Sequence, residues 1–183
     1  VEGEDDALLQ AWYPGQGGAK ALAEVLFGDY NPGGKLPVTF YRSTQDLPDF
    51  LDYSMKNRTY RYFTGEPQYA FGYGLSYTTF NVGDAKISAK SMKKNGKVTI
   101  TVPVTNTGKR EGTETVQVYV KALDDAGAPI KALKGFQKLS LKAGETQKAT
   151  IELDGEAFEY YDECIDELST KAGRYQILYG TSS

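Results

Sequence analysis

A short stretch rich in aromatic residues and glycine, residues 69–80 (YAFGYGLSYTTF), divides this sequence into two parts of different character. Glycine is costly in a helix and aromatic side chains lose rotamer freedom there, so this composition does not favour a helix. Rings offer large apolar area, while glycines allow tight turns. We therefore predict an aromatic hinge packed between two units, with an ordinary edge strand as the alternative. The rings of the predicted hinge are Tyr69, Phe71, Tyr73, Tyr77 and Phe80.

After the hinge, apolar and polar residues alternate with a period of two, which is typical of strands with one buried face. The pattern is clearest over residues 98–104 and 116–120. Six or seven short strands within about a hundred residues predict an antiparallel β-sandwich. Pro103 cannot donate to a ladder, so we expect it at a sheet edge or a bulge. The further strand candidates are residues 83–90, 135–141, 147–153 and 173–179.

The part before the hinge predicts a strand, a helix and a second strand. Residues 7–13 form a short apolar run, and residues 35–41 alternate apolar and polar side chains. Between them, residues 19–27 carry apolar side chains at helical spacing, and Gly28 is placed to end the helix. One βαβ unit cannot bury both faces of its sheet, so we expect missing partners on its N-terminal side. The predicted fold class is mixed: a partial α/β (βαβ) unit followed by an antiparallel β-sandwich.

Charge and hydropathy argue against two classes of partner. The net charge of −3 and the pI near 5.1 give no electrostatic reason to expect nucleic acid or an anionic membrane. No apolar segment reaches the roughly 20 residues that a membrane-spanning helix needs. The sequence opens with VEGEDD rather than methionine, so we expect a fragment or a processed product.

The absence of histidine excludes several kinds of active site. The sequence contains no histidine and one cysteine, which excludes a Ser-His-Asp triad, an internal disulfide and a cysteine-rich metal site. Acid–base chemistry within this chain would have to use carboxylates, lysine or tyrosine. Cys164 lies among carboxylates, which do not favour a reactive thiolate, and we predict that it is small and buried. The acids of residues 152–167 predict a solvated rim, with weak calcium binding as the alternative.

Two segments raise the question of ligand binding. Rings and arginines alternate in RTYRYF, residues 58–63, and a sugar-binding surface uses such flat faces and forked donors. The alternative, which we favour, is a strand that packs its rings on a core with the arginines outside. The glycines of residues 15–18 lack the full dinucleotide fingerprint and a Walker lysine-serine pair, so we predict a tight turn and no cofactor. The residues of the candidate sugar surface are Arg58, Tyr60, Arg61, Tyr62 and Phe63.

Several motifs occur in a fixed order along the chain: AWYPGQGG, LFGDYNPGGKLPVTFY, TYRYF, YAFGYGLSYTTF, VTNTGKREGTETVQVYV and AGRYQILYGTSS. This combination resembles the C-terminal part of a family 3 glycoside hydrolase, a family of exo-acting β-glycosidases that are chiefly β-glucosidases and β-xylosidases. The resemblance implies that residues 1–45 are the last strand, helix and strand of an α/β sandwich domain. Residues 46–80 would then be an aromatic connector, and residues 81–183 a fibronectin type III-like β-sandwich.

The resemblance also implies where the chemistry lies. Family members retain configuration by using two carboxylates, an aspartate nucleophile and a glutamate acid/base. The nucleophile belongs to an N-terminal barrel domain that this chain lacks. Glu2 lies in a VEGE segment like one that carries the acid/base in some members, but it is too near AWYPG for that motif and we do not assign it. We therefore predict no catalytic, cofactor-binding or metal-binding residue in this chain.

The resulting prediction is a structural C-terminal part of a retaining exo-β-glycosidase, inactive alone. Its partners would be the N-terminal barrel and the remainder of the α/β sandwich domain, with an oligosaccharide substrate bound through the complete enzyme. NRTYRYF favours xylosidase relatives slightly. The alternatives are a stand-alone carbohydrate-binding module that uses Tyr60 and Tyr62, and an adhesion sandwich in which residues 81–183 fold alone.

Overall fold

The structure, a computed structural model, describes residues 7–183, so Glu2 lies outside the described residues. None of the helices in this range is long and apolar enough to span a membrane. Two 3₁₀ turns, Thr44–Asp46 and Glu156–Phe158, interrupt the loops. The helices and strands in chain order are α1 (Gly18–Leu26), α2 (Thr59–Tyr62), β1 (Phe80–Val82), β2 (Lys86–Ile87), β3 (Val98–Asn106), β4 (Gly112–Ala122), β5 (Ala132–Leu141), β6 (Thr146–Leu153), β7 (Tyr160–Asp162), β8 (Glu167–Ser169) and β9 (Tyr175–Gly180).

The strands form an antiparallel sandwich with a separate hairpin. In one sheet, β3 pairs with β6 on one side and with β1 and β2 on the other. In the other sheet, β4 lies between β5 and β9. Strands β7 and β8 pair only with each other among the described strands. The mixed fold class and the antiparallel sandwich are therefore confirmed.

The core of the sandwich follows from the period-two pattern. Every second residue of β3 is buried, with Val102 and Val104 at 0% exposure. These side chains meet Val116 and Val118 of β4, which are also at 0%. Fully burying a valine contributes about 1.5–3 kcal/mol, so a few such layers dominate the stability of a domain of this size. The alternation that predicted these strands is thus the alternation that builds the core.

Pro103 lies where its missing N–H does least harm. Strand β1 ends with the pair Val82 and Val104, and β2 begins with the pair Lys86 and Thr101. Pro103 therefore faces the break between the two short edge strands. Its carbonyl still accepts a hydrogen bond from Gly83 N at 2.9 Å. Pro103 is therefore not on an edge strand, but it lies in the middle strand at a break in one ladder, where a residue that cannot donate is tolerated.

The part before the hinge contains the predicted helix but not the predicted strands. Helix α1 ends as expected, since Gly28 adopts φ +81° and donates to the carbonyl of Val25 at 3.1 Å. Residues 7–13 form no strand, and residues 35–41 form only the single bridge between Phe40 and Tyr69. The two flanking strands of the βαβ prediction are therefore wrong for this chain. A strand exists through its pairing, and the described residues supply no sheet for these segments to join.

Candidate functional site

The outer face of β4 is covered by the segment that joins α1 to the sandwich. Gln117 and Tyr119 lie on the face opposite the core, yet they are only 3% and 2% exposed. The Gln117 amide donates to the carbonyls of Gly72 at 3.1 Å and Thr181 at 2.8 Å. Gly72 adopts φ +80°, and a Cβ there would overlap the Gln117 amide, so this position needs glycine for both reasons. We call the contact between residues 28–80 and the sandwich the linker interface.

Three rings from three elements meet at the centre of the linker interface. Tyr60 of α2 stacks on Phe71 of the hinge with ring centroids 4.2 Å apart. Its edge meets Tyr119 of β4 at 5.8 Å. The Tyr60 hydroxyl accepts a hydrogen bond from Leu133 N at 3.0 Å, and burial raises the pKa of Tyr119 well above its usual value. Such pairs add about 0.5–1.5 kcal/mol each beyond the area they bury. Phe71 thus packs on Tyr60, and Tyr60 in turn contacts the sandwich through Tyr119.

Asn31 connects α1, the hinge and the turn before β4. Its side-chain oxygen accepts from Ser76 Oγ at 2.9 Å and from Tyr77 N at 2.7 Å, and its amide donates to the carbonyl of Glu111 at 2.9 Å. Tyr77 is 46% exposed, so its ring is not a buried anchor, but its hydroxyl donates to the carbonyl of Val25 at 2.8 Å. These bonds fix the end of α1 relative to the sandwich.

An ion pair that is nearly buried crosses the linker interface. Lys35 Nζ lies 2.8 Å from Glu114 Oε1, and the two side chains are 14% and 11% exposed. Lys35 also donates to the carbonyl of Gly74 at 3.2 Å, and Glu114 accepts from Thr115 N at 2.7 Å. A buried charge is tolerated when it is paired and hydrogen-bonded, and it is costly when its partner is removed. The pair therefore makes the position of residue 35 dependent on the sandwich.

A second polar contact lies deeper, at the end of β3. Asn106 is fully buried, and its side-chain oxygen accepts from Thr78 Oγ1 at 2.8 Å and Gly108 N at 3.0 Å. Its amide donates to the carbonyls of Arg110 at 2.7 Å and Leu141 at 3.0 Å. All of its hydrogen-bonding groups are therefore used inside the protein, which ties the hinge to both sheets.

The segment RTYRYF does not form the surface that a stacked sugar would need. It forms the short helix α2, so the favoured strand interpretation is wrong, although its rings do pack inward. The ring of Tyr60 is covered by Phe71, and Tyr62 is half-buried, with a pKa that burial raises. The Arg58 guanidinium donates to backbone carbonyls of residues 49–54 instead of facing outward. Phe63 packs edge-on against Tyr41 at 4.8 Å.

The acid-rich segment, residues 152–167, contains an exposed cysteine and contributes to an ion-pair cluster around Lys171. Cys164 lies in the turn of the β7–β8 hairpin, so the prediction of a buried cysteine is wrong. Lys171 Nζ lies 2.7 Å from Asp125 Oδ2 and 3.0 Å from Asp162 Oδ2. Hydrogen bonds from Lys171 and then Tyr160 lower the pKa of Asp125 to about 2. Within residues 7–183 no cluster of three or more aspartate, glutamate or cysteine side chains is placed to hold a metal ion.

The residues that make the linker interface were missed by sequence reasoning. Asn31, Lys35 and Glu114 stand in polar or glycine-rich segments, which predict solvent exposure. Gln117 and Tyr119 stand in the apolar run of β4, which is a weak signal of burial, but alternation assigns them to the solvent face. A polar residue between buried valines does not reveal which segment covers it.

The part of the chain before residue 30 exposes several large apolar side chains. Helix α1 has no buried residue. Leu26 is 69% exposed and Phe27 is 85% exposed, directly at its C-terminal end. We call this surface the N-terminal apolar face; its exposed side chains are Leu8, Leu9, Trp12, Tyr13, Leu26 and Phe27.

Comparison with known proteins gives two domain matches and many relatives. Residues 2–77 match the glycosyl hydrolase family 3 C-terminal domain, and residues 114–183 match a fibronectin type III-like domain. A xylan 1,4-beta-xylosidase of Xylanibacter ruminicola is 54% identical over 178 residues, covering 97% of this chain and 20% of that protein. A periplasmic beta-glucosidase of Salmonella typhimurium is 41% identical over 191 residues, covering 97% and 25%. The chain thus spans about a fifth to a quarter of the length of these relatives.

Solved structures agree with these matches. A GH3 beta-glucosidase of Bifidobacterium adolescentis superposes with a TM-score of 0.83 at 36% identity, covering 95% of this chain and 27% of that one. Beta-glucosidase 3B of Thermotoga neapolitana gives a TM-score of 0.83 at 35% identity, covering 94% and 26%. Because the superposition includes most of this chain, it covers residues on both sides of the linker interface.

Proposed function

This chain is the C-terminal portion of a family 3 glycoside hydrolase, the end of its C-terminal domain followed by its fibronectin type III-like domain, and we propose that this portion serves a structural role. It would complete the α/β sandwich domain of a retaining exo-β-glycosidase. The complete enzyme would release terminal non-reducing β-linked glucose or xylose from oligosaccharides. Relatives of both kinds, a xylosidase and a glucosidase, support this pair of sugars.

The observation that carries the proposal is the N-terminal apolar face. A helix of nine residues is too short to be stable in water without packing, and none of the side chains of α1 is fully buried among the described residues. Fully burying a leucine or phenylalanine contributes about 1.5–3 kcal/mol each. The part of the protein that precedes this chain would supply the cover, because relatives are four to five times longer. The face is therefore the docking surface for the remainder of the α/β sandwich domain.

The linker interface suggests a second structural role, which is to position α1 and the following loops on the sandwich. Its ion pair, the ring contact between Tyr60 and Tyr119 and its buried amide join residues 28–80 to the sandwich at several points. The fibronectin-like sandwich would thereby hold α1 and the following loops in the shape that receives the rest of the enzyme. We assign no catalytic residue to this chain, and place the nucleophile and the acid/base in the portion that precedes it.

The test is hydrolysis of p-nitrophenyl β-xyloside and β-glucoside by this chain, first alone and then mixed with the separately expressed preceding portion. We expect activity only in the mixture. A matched control mixture would use Gln117→Ala, which loosens the linker interface and should lower the recovered activity. Hydrolysis by the chain alone would contradict the structural role, and an inactive mixture of two folded portions would contradict the assignment to one enzyme.

A further inference from the structure

A second exposed apolar surface lies on a loop well away in sequence from the N-terminal apolar face. We call residues 47–55 the apolar loop. Phe50 is 88% exposed and Tyr53 is 86% exposed, with Leu51 at 76% between them. Leu47 and Met55, at the two ends of the loop, are 50% and 49% exposed. Single exposed apolar side chains are ordinary, but five within nine residues form a surface of the kind that marks an interaction site.

The shape of the apolar loop is fixed by its own polar groups. Arg58 Nε donates to the carbonyl of Ser54 at 3.0 Å, and the same guanidinium donates to the carbonyls of Asp49 and Asp52. The Asp49 carboxylate accepts from Leu51 N at 2.8 Å, and the Asp52 carboxylate accepts from Ser54 N at 2.8 Å. The polar groups thus bind the backbone of the loop, and the apolar side chains are left facing outward.

This arrangement favours a protein partner over a sugar. A sugar-binding surface pairs its rings with free hydrogen-bonding side chains, but here Asp49, Asp52 and Arg58 are engaged within the loop. Aliphatic Leu47, Leu51 and Met55 stand beside the rings instead. Aromatic residues and methionine are enriched in the centre of protein interfaces, where charged side chains are scarce.

We propose that the apolar loop docks onto the portion of the same polypeptide that precedes this chain. The inference rests on the proposed function. The relatives place about three-quarters or more of their length outside the region matched here, so in a complete enzyme of this kind a partner of sufficient size would be covalently attached. The loop belongs to the same unit as the N-terminal apolar face, whose cover the proposed function assigns to that portion. The loop would therefore give the preceding portion a second contact point.

The first test is photo-cross-linking in the longer polypeptide. p-Benzoylphenylalanine replaces Phe50, an exchange of one exposed ring for another that leaves the fold intact. A matched control places it at Phe136, which is 66% exposed on β5 of the sandwich. We expect an internal cross-link from position 50 to peptides that precede this chain, and none from position 136. A cross-linked species of twice the mass would assign the loop to a second copy and overturn the proposal, as would no cross-link from position 50.

The second test separates this inference from the proposed function. The double variant Phe50→Ala/Leu51→Ala is titrated against the preceding portion in the two-part activity assay. We expect an apparent affinity about tenfold weaker, with the same activity at saturation. Equal affinity for variant and unmodified chain would overturn the docking of the loop alone. A raised KM for substrate at unchanged affinity would make the loop a substrate contact and also overturn it. Failure of the unmodified chain to restore activity would count against the proposed function instead.

Discussion

The sandwich buries many of its large apolar side chains, whereas the part of the chain before residue 56 exposes many of them. In the sandwich, Val102, Val116 and Leu141 are completely buried. In the first part, Tyr13 is 100% exposed and Phe50 is 88% exposed. The sandwich closes its core with strands that lie within this chain, whereas the first part offers a helix and loops without a covering layer among the described residues. The difference supports the proposal that the exposed apolar side chains of the first part form a surface for a partner.

The linker interface is held largely by polar contacts. These are hydrogen bonds and the pair Lys35–Glu114, together with the ring contact between Tyr60 and Tyr119. Buried polar contacts add less net stability than apolar ones of similar size, but they are satisfied in only one geometry. The interface is therefore suited to fixing the orientation of the first part against the sandwich.

The largest expected loss of stability comes from breaking the ion pair of the linker interface. Lys35→Met leaves Glu114 charged and largely buried without its partner, and we expect a loss of about 3–5 kcal/mol in the free energy of unfolding. Urea denaturation of the chain, followed by circular dichroism, measures this loss. The double variant Lys35→Met/Glu114→Leu removes both charges and should recover most of it. A loss below about 1 kcal/mol for the single variant would mean that the linker interface does not depend on this ion pair.

Substitution of one leucine in each region tests the comparison between the sandwich and the first part of the chain. Leu141→Ala opens a cavity in the sandwich core, and we expect it to cost about 2–5 kcal/mol. Leu26→Ala removes a side chain that is 69% exposed on α1 and should cost less than about 0.5 kcal/mol in the same chain. The same denaturation experiment serves for both. In the longer polypeptide we expect the cost of Leu26→Ala to rise, and an unchanged cost there would break the interpretation of the N-terminal apolar face.

The sequence correctly predicted the elements whose formation depends on neighbouring residues. The alternation of β3 and the helical spacing of α1 depend on neighbouring residues, and both elements formed where expected. Residues 7–13 and 35–41 carry equally good strand patterns but form no ladder, because pairing needs a second strand that local sequence does not supply. Periodicity thus shows which segments are able to pair, and the fold decides whether they do.

The contacts of the candidate site depend on long-range packing, which periodicity does not report. Alternation assigns Gln117 and Tyr119 to solvent, yet the hinge covers both. Cys164 lies in the exposed turn of the β7–β8 hairpin, where its neighbours in the sequence do not bury it. The aromatic hinge was predicted because its composition is unusual, but only the structure assigns different roles to its rings.

Variants of two rings of the hinge, Phe71 and Tyr77, should lose stability by an intermediate amount. Phe71 is half-buried against Tyr60, so Phe71→Ala should cost about 1–3 kcal/mol, less than for a fully buried ring. Tyr77→Phe removes only the hydrogen bond to the carbonyl of Val25 and should cost about 0.5–1.5 kcal/mol. Thermal unfolding of the two variants gives both values. A larger loss for Tyr77→Phe than for Phe71→Ala would reverse the roles assigned to the two residues.

The smallest expected effect concerns the β7–β8 hairpin, which is joined to the sandwich through charges near the surface. The hydrogen bonds from Lys171 and Tyr160 lower the pKa of Asp125 to about 2, from an ordinary value of 3.8. A carboxyl whose folded pKa is depressed stabilises the protein above its unfolded pKa, and that contribution is lost as the pH falls through the folded pKa. We therefore expect Asp125 to contribute to acid unfolding between about pH 4 and pH 2.

Other carboxylates titrate in the same range, so the difference between the chain and Asp125→Asn is the quantity to measure. Asparagine keeps the size of the side chain and removes its titration. The stability difference between the two proteins should be constant above about pH 5 and should shrink steadily below pH 4. The packed apolar side chains of the sandwich core include no carboxyl group among the described residues, so Leu141→Ala should show a difference that does not change over this acidic range. A constant difference for Asp125→Asn as well would show that the hairpin is held by packing, as the sandwich is, rather than by its charges.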